Sequence, residues 1–174
     1  MTARSRAVLC VALLTLALAF RLSLALGWPN DEPDDAHGYT MLARNLLLHG
    51  AYSLSPTSPY KPTYARVPGY PLLIAGVYRV CGVNNDTAVR LVQAVIETAT
   101  CWTIACLALA LVPTTWPQKR RWRVQCASLA LAAACPFTAI YVTPVLTEAL
   151  AMALGTAVAW CAMRALRAEA GTGE

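Results

Sequence analysis

PTTWPQKRRWR, residues 113–123, separates two apolar runs and holds Lys119, Arg120, Arg121 and Arg123 in its second half. Short loops on the cytoplasmic side of a membrane are enriched in Lys and Arg. The turn therefore decides on which side its flanking runs emerge, and the remaining segments are counted outward from it.

Upstream lies an apolar run over 86–112, for which Asp86 and Thr87 are available as a helix cap. Downstream, the run at 124–141 contains Pro136, which should kink it, and a further run at 145–163 is followed by Arg164 and Arg167. Near the start, AVLCVALLTLALAFRLSLALG (7–27) carries one charge, Arg21. At about 1.5 Å per residue it is long enough for a hydrocarbon core of roughly 30 Å. Arg4 and Arg6 before this run, and Ala25-Leu26-Gly27 at its end, also fit a cleaved signal peptide. The run exceeds the usual length of a signal core, which favours an uncleaved anchor.

Composition agrees: 57% of the 174 residues are hydrophobic, 13% are charged, and mean hydropathy is +0.49. That is too apolar for an ordinary soluble domain. The net charge of +5 comes from basic residues spread between the runs rather than gathered on one face, which argues against nucleic-acid binding. Of seven cysteines, six (Cys10, Cys101, Cys106, Cys126, Cys135, Cys161) lie inside apolar runs and no CxxC occurs. They read as small apolar residues rather than a disulfide framework.

Residues 28–85 form the large connection between the first two runs, with Pro29, Pro33, Pro56, Pro59, Pro62 and Pro68 marking a structured loop. Asp34 or Asp35 can cap a helix whose apolar positions Tyr39, Leu42, Leu46 and Leu47 follow helical spacing up to Gly50. This predicts an amphipathic interfacial helix. PGYPLLIAGVYRVCG (68–82) is apolar but short, and carries Arg79; if it crossed, the basic turn would fall outside. It is read as a second juxtamembrane helix. The expected fold is an all-α membrane protein with about four transmembrane helices and two juxtamembrane helices in a large first extracytoplasmic loop. All 174 residues form one membrane domain with both termini cytoplasmic. Asp31, Glu32, Asp34, Asp35 and Asp86 then share the outer side.

Four constellations carry candidate chemistry. In DEPDDAHGY, Asp34 and Asp35 open the first loop helix, with Tyr39 one turn after Asp35 on the same face. They suit either helix capping or a general base for a hydroxyl acceptor. Arg66 and Arg90 stand near the same surface, where a guanidinium fork either snorkels to water or holds an anionic lipid phosphate. For Arg21, snorkelling is the plainer account. Arg90, Gln93 and Glu97 form a polar stripe at helical spacing, with structural pairing the leading account of Glu97. Glu148 opens the last run, where a helix N-terminus favours its charge. Phosphate-binding glycine loops, HExxH and GxSxG are missing, and His37 and His49 lack the spaced partners of a zinc site, so no cofactor is expected, while metal dependence stays open at this point. Asn85-Asp86-Thr87 is a formal glycosylation sequon.

DDAHGYTMLARNLLLHGAYS, then RVPGYPLLIAGVYRVCGVNNDTAVRLVQ, then VLTEAL together resemble the N-terminal part of GT-C membrane glycosyltransferases. Bacterial relatives of dolichyl-phosphate-mannose protein mannosyltransferases and aminoarabinose transferases are the nearest in look. The resemblance implies a polyprenyl-phosphate-linked sugar as donor, transferred with inversion to an acceptor hydroxyl on the extracytoplasmic side. It puts the acceptor-site aspartate at Asp35 or, second, Asp34, a further acid at Glu148, and the donor's phosphate at Arg66. Tyr39 and Arg90 join as substrate-binding candidates. Family members are several times longer, so the remaining spans are expected from more chain or a second polypeptide. A non-catalytic membrane subunit or remnant competes with this reading, and a small transporter, suggested by Arg90 and Glu97 alone, ranks behind both.

The topology predicts that single cysteines placed at Ser55 react with an impermeant thiol reagent only from outside the cell, and those at Gln118 only from inside. The reverse pattern at either site refutes this topology.

Overall fold

A computed structural model of the protein describes residues 2–27 and 34–172. Pro29, Asp31, Glu32 and Pro33 of the loop reading lie outside the described residues. Among those described, all regular structure is helical: α1 (Ala3–Gly27), α2 (Asp34–His49), α3 (Gly69–Cys81), α4 (Asp86–Leu111), α5 (Gln118–Ala134), the single turn α6 (Pro136–Ala139) running into a 3-10 turn (Ile140–Val142), and α7 (Glu148–Thr172).

Three helices are long and apolar enough to cross a membrane: Ala3–Gly27, Asp86–Leu111 and Glu148–Glu169. The pair Gln118–Ala134 and Pro136–Val142, bent by 50°, makes a fourth when taken as one broken span. The boundaries differ from the sequence reading in instructive ways. α7 continues to Thr172 instead of ending near 163, because nothing in Arg164–Ala170 breaks a helix. The basic residues 119–123 sit on the first turns of α5, not in a turn, since Pro117 supplies the N-cap position and the helix starts directly after it. α4 is capped by Asn85, whose side chain accepts from the Ala88 N–H at 3.1 Å, and not by Asp86 or Thr87. Its amide also donates to the Cys81 carbonyl at 3.0 Å, so the sequon asparagine holds the α3–α4 corner.

α4 is the axis of the bundle, packed against α1, α5 and α7. Small residues let these backbones approach: Ala17 and Ala25 of α1, Ala94 and Ala105 of α4, and Ala133 of α5 are all buried, with Cys10, Cys101 and Cys126 behaving as small apolar residues between them. Arg6 stacks 4.4 Å over Trp122 and Arg167 donates to the Val112 carbonyl at 2.7 Å. The start of α1, the end of α4, the start of α5 and the end of α7 therefore share one strongly basic end.

Arg21 does not snorkel. It is fully buried. The reason is Pro136, which has no N–H to give the Ala132 carbonyl one turn earlier, so α5 ends with carbonyls unmet. Arg21 donates to Ala132 O and Ala133 O, both at 3.3 Å, and to Ala17 O at 3.4 Å, with Cys101 Sγ at 3.2 Å and Thr138 Oγ1 at 3.5 Å completing its surroundings. A cation at a helix C-terminus is favourable on its own account, and here it turns a helix break into a defined corner.

The corner sends residues 140–147 back against α4, where Gln93 Nε2 donates to Pro144 O at 2.9 Å and to Tyr141 O at 3.2 Å. The carbonyl of Gln93 accepts from the Tyr70 hydroxyl of α3. At the other end of α3, the Tyr78 hydroxyl donates to Asp86. α2 and α3 lie directly on each other through Ala36, Ala43, Tyr70, Ile74 and Tyr78, a cluster that also includes Val89 of α4 and Val145 before α7. Gly50 ends α2 at φ +63° in an αL cap, its N–H bonded to Leu46 O (3.1 Å), with Ala51 N–H to Asn45 O (3.4 Å) beside it.

Gln93 is thus a polar link that joins α3, α4 and the corner before α7. Gln93→Leu takes one hydrogen bond from the Tyr70 hydroxyl and leaves the Tyr141 and Pro144 carbonyls without their amide donor, at a cost of about 1–3 kcal/mol. We expect the detergent-solubilised protein to melt several degrees lower, at roughly 2–4 °C per kcal/mol for a chain of this size. Thr103→Ala, which loses only a bond to Ala99 O within α4, should melt normally. Equal melting of the two variants contradicts the link.

Candidate functional site

Of the sequence-derived candidates, the structure brings three together. Asp35, on the first turn of α2, accepts from Arg66 Nη2 across the loop. The same guanidinium lies over the ring of Tyr39, 5.5 Å from its centroid and one turn along α2. Tyr39 in turn meets Tyr70 edge-to-face at 5.3 Å, and Tyr70 is the residue held by Gln93. The carboxylate, the cation and the aromatic shelf under them are anchored through hydrogen bonds to the bundle.

Arg66 owes its position to a folded loop. Asn45, buried in α2, donates to Ser53 O (2.8 Å) and Ser55 O (3.0 Å), fixing the outgoing strand of chain. The return is set by Thr63 N–H to Tyr52 O at 3.0 Å, beside an isolated bridge between Ser53 and Pro62. Tyr52 then donates its hydroxyl to the Arg66 carbonyl at 3.0 Å. Burial pushes the Tyr52 phenol above its ordinary pKa, with Tyr39 adding to the effect, which keeps it a donor at neutral pH.

Next to the ion pair the loop forms a cleft of about 450 Å³, lined by Tyr52, Pro62, Tyr64, Arg66, Val67 and others. Its wall is mainly apolar, and Tyr64 and Val67 at its rim are 97% and 81% exposed. α2 and α3 are packed against each other, and the open space lies in the loop. Arg66 is the cation on the cleft wall. Its side chain is 38% exposed and that of Asp35 67%, so both can reach a ligand.

The other candidates stand apart from this group. Asp34 is exposed on the opening turn of α2 and has no partner among the described contacts. Glu148 begins α7, with one carboxylate oxygen, Oε2, buried and unpaired. Its neighbours Val145 and Leu146 join the α2–α3 cluster, which puts it at the same end of the bundle as Asp35 without touching it. Arg90 is buried in α4 and engaged within the fold, neither snorkelling nor standing with Arg66. Gln93 and Glu97 continue its stripe inward, both buried. Glu97 has no cation within ion-pair distance and its Oε1 has no partner; the charge of Arg21 acts on it from further away. It lines a partly open cleft of about 390 Å³ with Thr100, Cys101, Thr138 and Thr156.

Sequence reasoning missed Tyr52, Tyr70 and Gln93 as members of this assembly. Tyr70 sits in the quoted PGYP motif, and Gln93 in the polar stripe, yet nothing in their spacing couples them. No protein-family model, no curated protein and no solved structure matches the chain significantly.

Proposed function

We propose that this chain is the N-terminal part of a membrane glycosyltransferase that moves a sugar from a polyprenyl-phosphate donor to an acceptor hydroxyl at the extracytoplasmic surface, with both termini cytoplasmic. One observation carries the reading: Arg66 is shared between a carboxylate, Asp35, and an apolar cleft that opens at exposed Tyr64 and Val67. A phosphate carrying a long apolar tail needs such a cation beside such a wall.

In the step we envisage, the acceptor oxygen attacks the anomeric carbon from the face opposite the phosphate. Its proton passes to Asp35, the bond from carbon to phosphate oxygen breaks, and the phosphate leaves with the electron pair toward Arg66. Inversion follows from the single displacement. The donor phosphate competes with Asp35 for Arg66, so donor binding loosens the resting ion pair and frees the carboxylate to act as base. Tyr39 supplies the shelf that holds the guanidinium, and Glu148, at the same end, serves the acceptor side. A base of this kind contributes about a hundred- to ten-thousand-fold. Membrane helices beyond this chain, from a longer chain or a partner polypeptide, complete the lipid path.

A non-catalytic membrane subunit is the second reading, and the same ion pair favours it, since a bridge between α2 and its loop is also a structural tie. The two separate in an assembly that includes the partner helices, assayed for sugar transfer from a polyprenyl-phosphate donor. Asp35→Asn should reduce transfer by about a hundredfold or more while inserting and melting normally, because a pair this exposed contributes at most about 1 kcal/mol. Asp34→Asn should have a milder effect. Full activity in Asp35→Asn removes Asp35 as base; inactivity of every assembly, the unaltered one included, supports the non-catalytic subunit.

A further inference from the structure

At the opposite, basic end of the bundle, α4, α5 and α7 enclose a second cleft of about 500 Å³. Its walls include Leu109, Ala110, Arg121, Trp160, Arg164 and Arg167, and no carboxylate. Three guanidinium groups facing one space repel one another and call for an anion. Each is held in place. Arg167 is tied by its bond to Val112 O at 2.7 Å, Arg164 lies 5.4 Å from the centroid of the Trp160 ring, and Arg121, on the first turns of α5, reaches Gln118 Oε1 through Nη1 at 3.5 Å. Arg121 Nε is buried and has no hydrogen-bond partner in the protein, an unmet donor that a native fold rarely leaves.

The rest of the cleft is apolar, with Cys106, Leu109, Ala110 and Ala168 on its walls, and further along α7 Leu154 (58%) and Val158 (68%) are exposed. A tryptophan beside arginines at the end of an apolar helix is the usual composition of a bilayer interface. A free phosphate would find its charge complement here but leave Leu109, Ala110 and the face of α7 uncovered. A phosphate attached to acyl chains covers both.

We infer that this cleft is a binding site for an anionic phospholipid, its phosphate held by Arg121 and Arg164 with Arg167 behind them, and its chains lying along α7. The site is independent of the sugar-transfer reading and stands if that reading fails. Basic pockets between membrane helices are suited to such headgroups.

The test is native mass spectrometry of the full chain in detergent, titrated separately with phosphatidylglycerol, phosphatidylcholine and inorganic phosphate. We expect one saturable phosphatidylglycerol adduct, roughly tenfold or more weaker binding of phosphatidylcholine, and no displacement by phosphate at equal concentration. Arg121→Gln with Arg164→Gln should weaken the phosphatidylglycerol adduct roughly tenfold or more, and Arg121→Lys with Arg164→Lys should restore part of it. Lys119→Gln with Arg123→Gln removes the same charge from exposed positions at the same end and should stay within about twofold. Equal binding of the two lipids, or a glutamine pair no weaker than the exposed pair, overturns the site. Displacement by inorganic phosphate overturns the lipid assignment in favour of a free anion. If the glutamine pair does not fold, the lysine pair and the preference between lipids in the unaltered protein decide the matter.

Discussion

Arg21 holding the end of α5 is the constraint on which the rest of the fold depends. Pro136 breaks that helix and frees the Ala132 carbonyl, and inside a membrane such a group has no water to turn to. Arg21 meets it, together with Ala133 O, from the neighbouring helix. Once the corner is fixed, Tyr141 O and Pro144 O come within reach of Gln93, and Gln93 in turn holds Tyr70. Tyr70 supports Tyr39, and Tyr39 supports Arg66. A chain of hydrogen bonds and ring contacts therefore runs from a buried cation in the bundle to an exposed carboxylate at its surface. A site on a loop becomes precise when its supports are locked in this way.

The two ends of the molecule are chemically different in a way that suits a membrane. One end collects Arg4, Arg6, Lys119, Arg120, Arg121, Arg123, Arg164 and Arg167. The other holds Asp34, Asp35 and Asp86, but also Arg44, Lys61, Arg66, Arg79 and Arg90. Several cations at this second end have defined jobs: Arg66 binds Asp35 and Arg90 is buried within α4. By count the first end carries eight basic residues against five at the second.

Much of this was legible in the chain. Apolar runs of sufficient length, Pro136 as a kink, Gly50 as a stop and the two short loop helices all follow from local chemistry, and the structure has each of them. The Asp35–Tyr39 face was legible for the same reason, being one turn of one helix. What escaped was every relation between distant segments. Arg21 was read as snorkelling because a sequence does not show that Pro136, more than a hundred residues on, leaves carbonyls beside it. Tyr52 gives no signal of its own, since its role comes from the loop folding back to Arg66. Glu97 looked like half of a pair, and the structure places its nearest cation, Arg21, on the carbonyls of other helices.

The proposed sharing of Arg66 between Asp35 and a lipid phosphate has a consequence of definite sign. If the two compete, removing the charge of Asp35 must improve phosphate binding, whereas removing Arg66 must abolish it. Binding of a polyprenyl phosphate to Asp35→Asn, Arg66→Gln and the unaltered protein, measured in the same detergent by isothermal titration, tests this directly. The account predicts tighter binding for Asp35→Asn and loss of binding for Arg66→Gln. Weaker or unchanged binding in Asp35→Asn, or retained binding in Arg66→Gln, would contradict it.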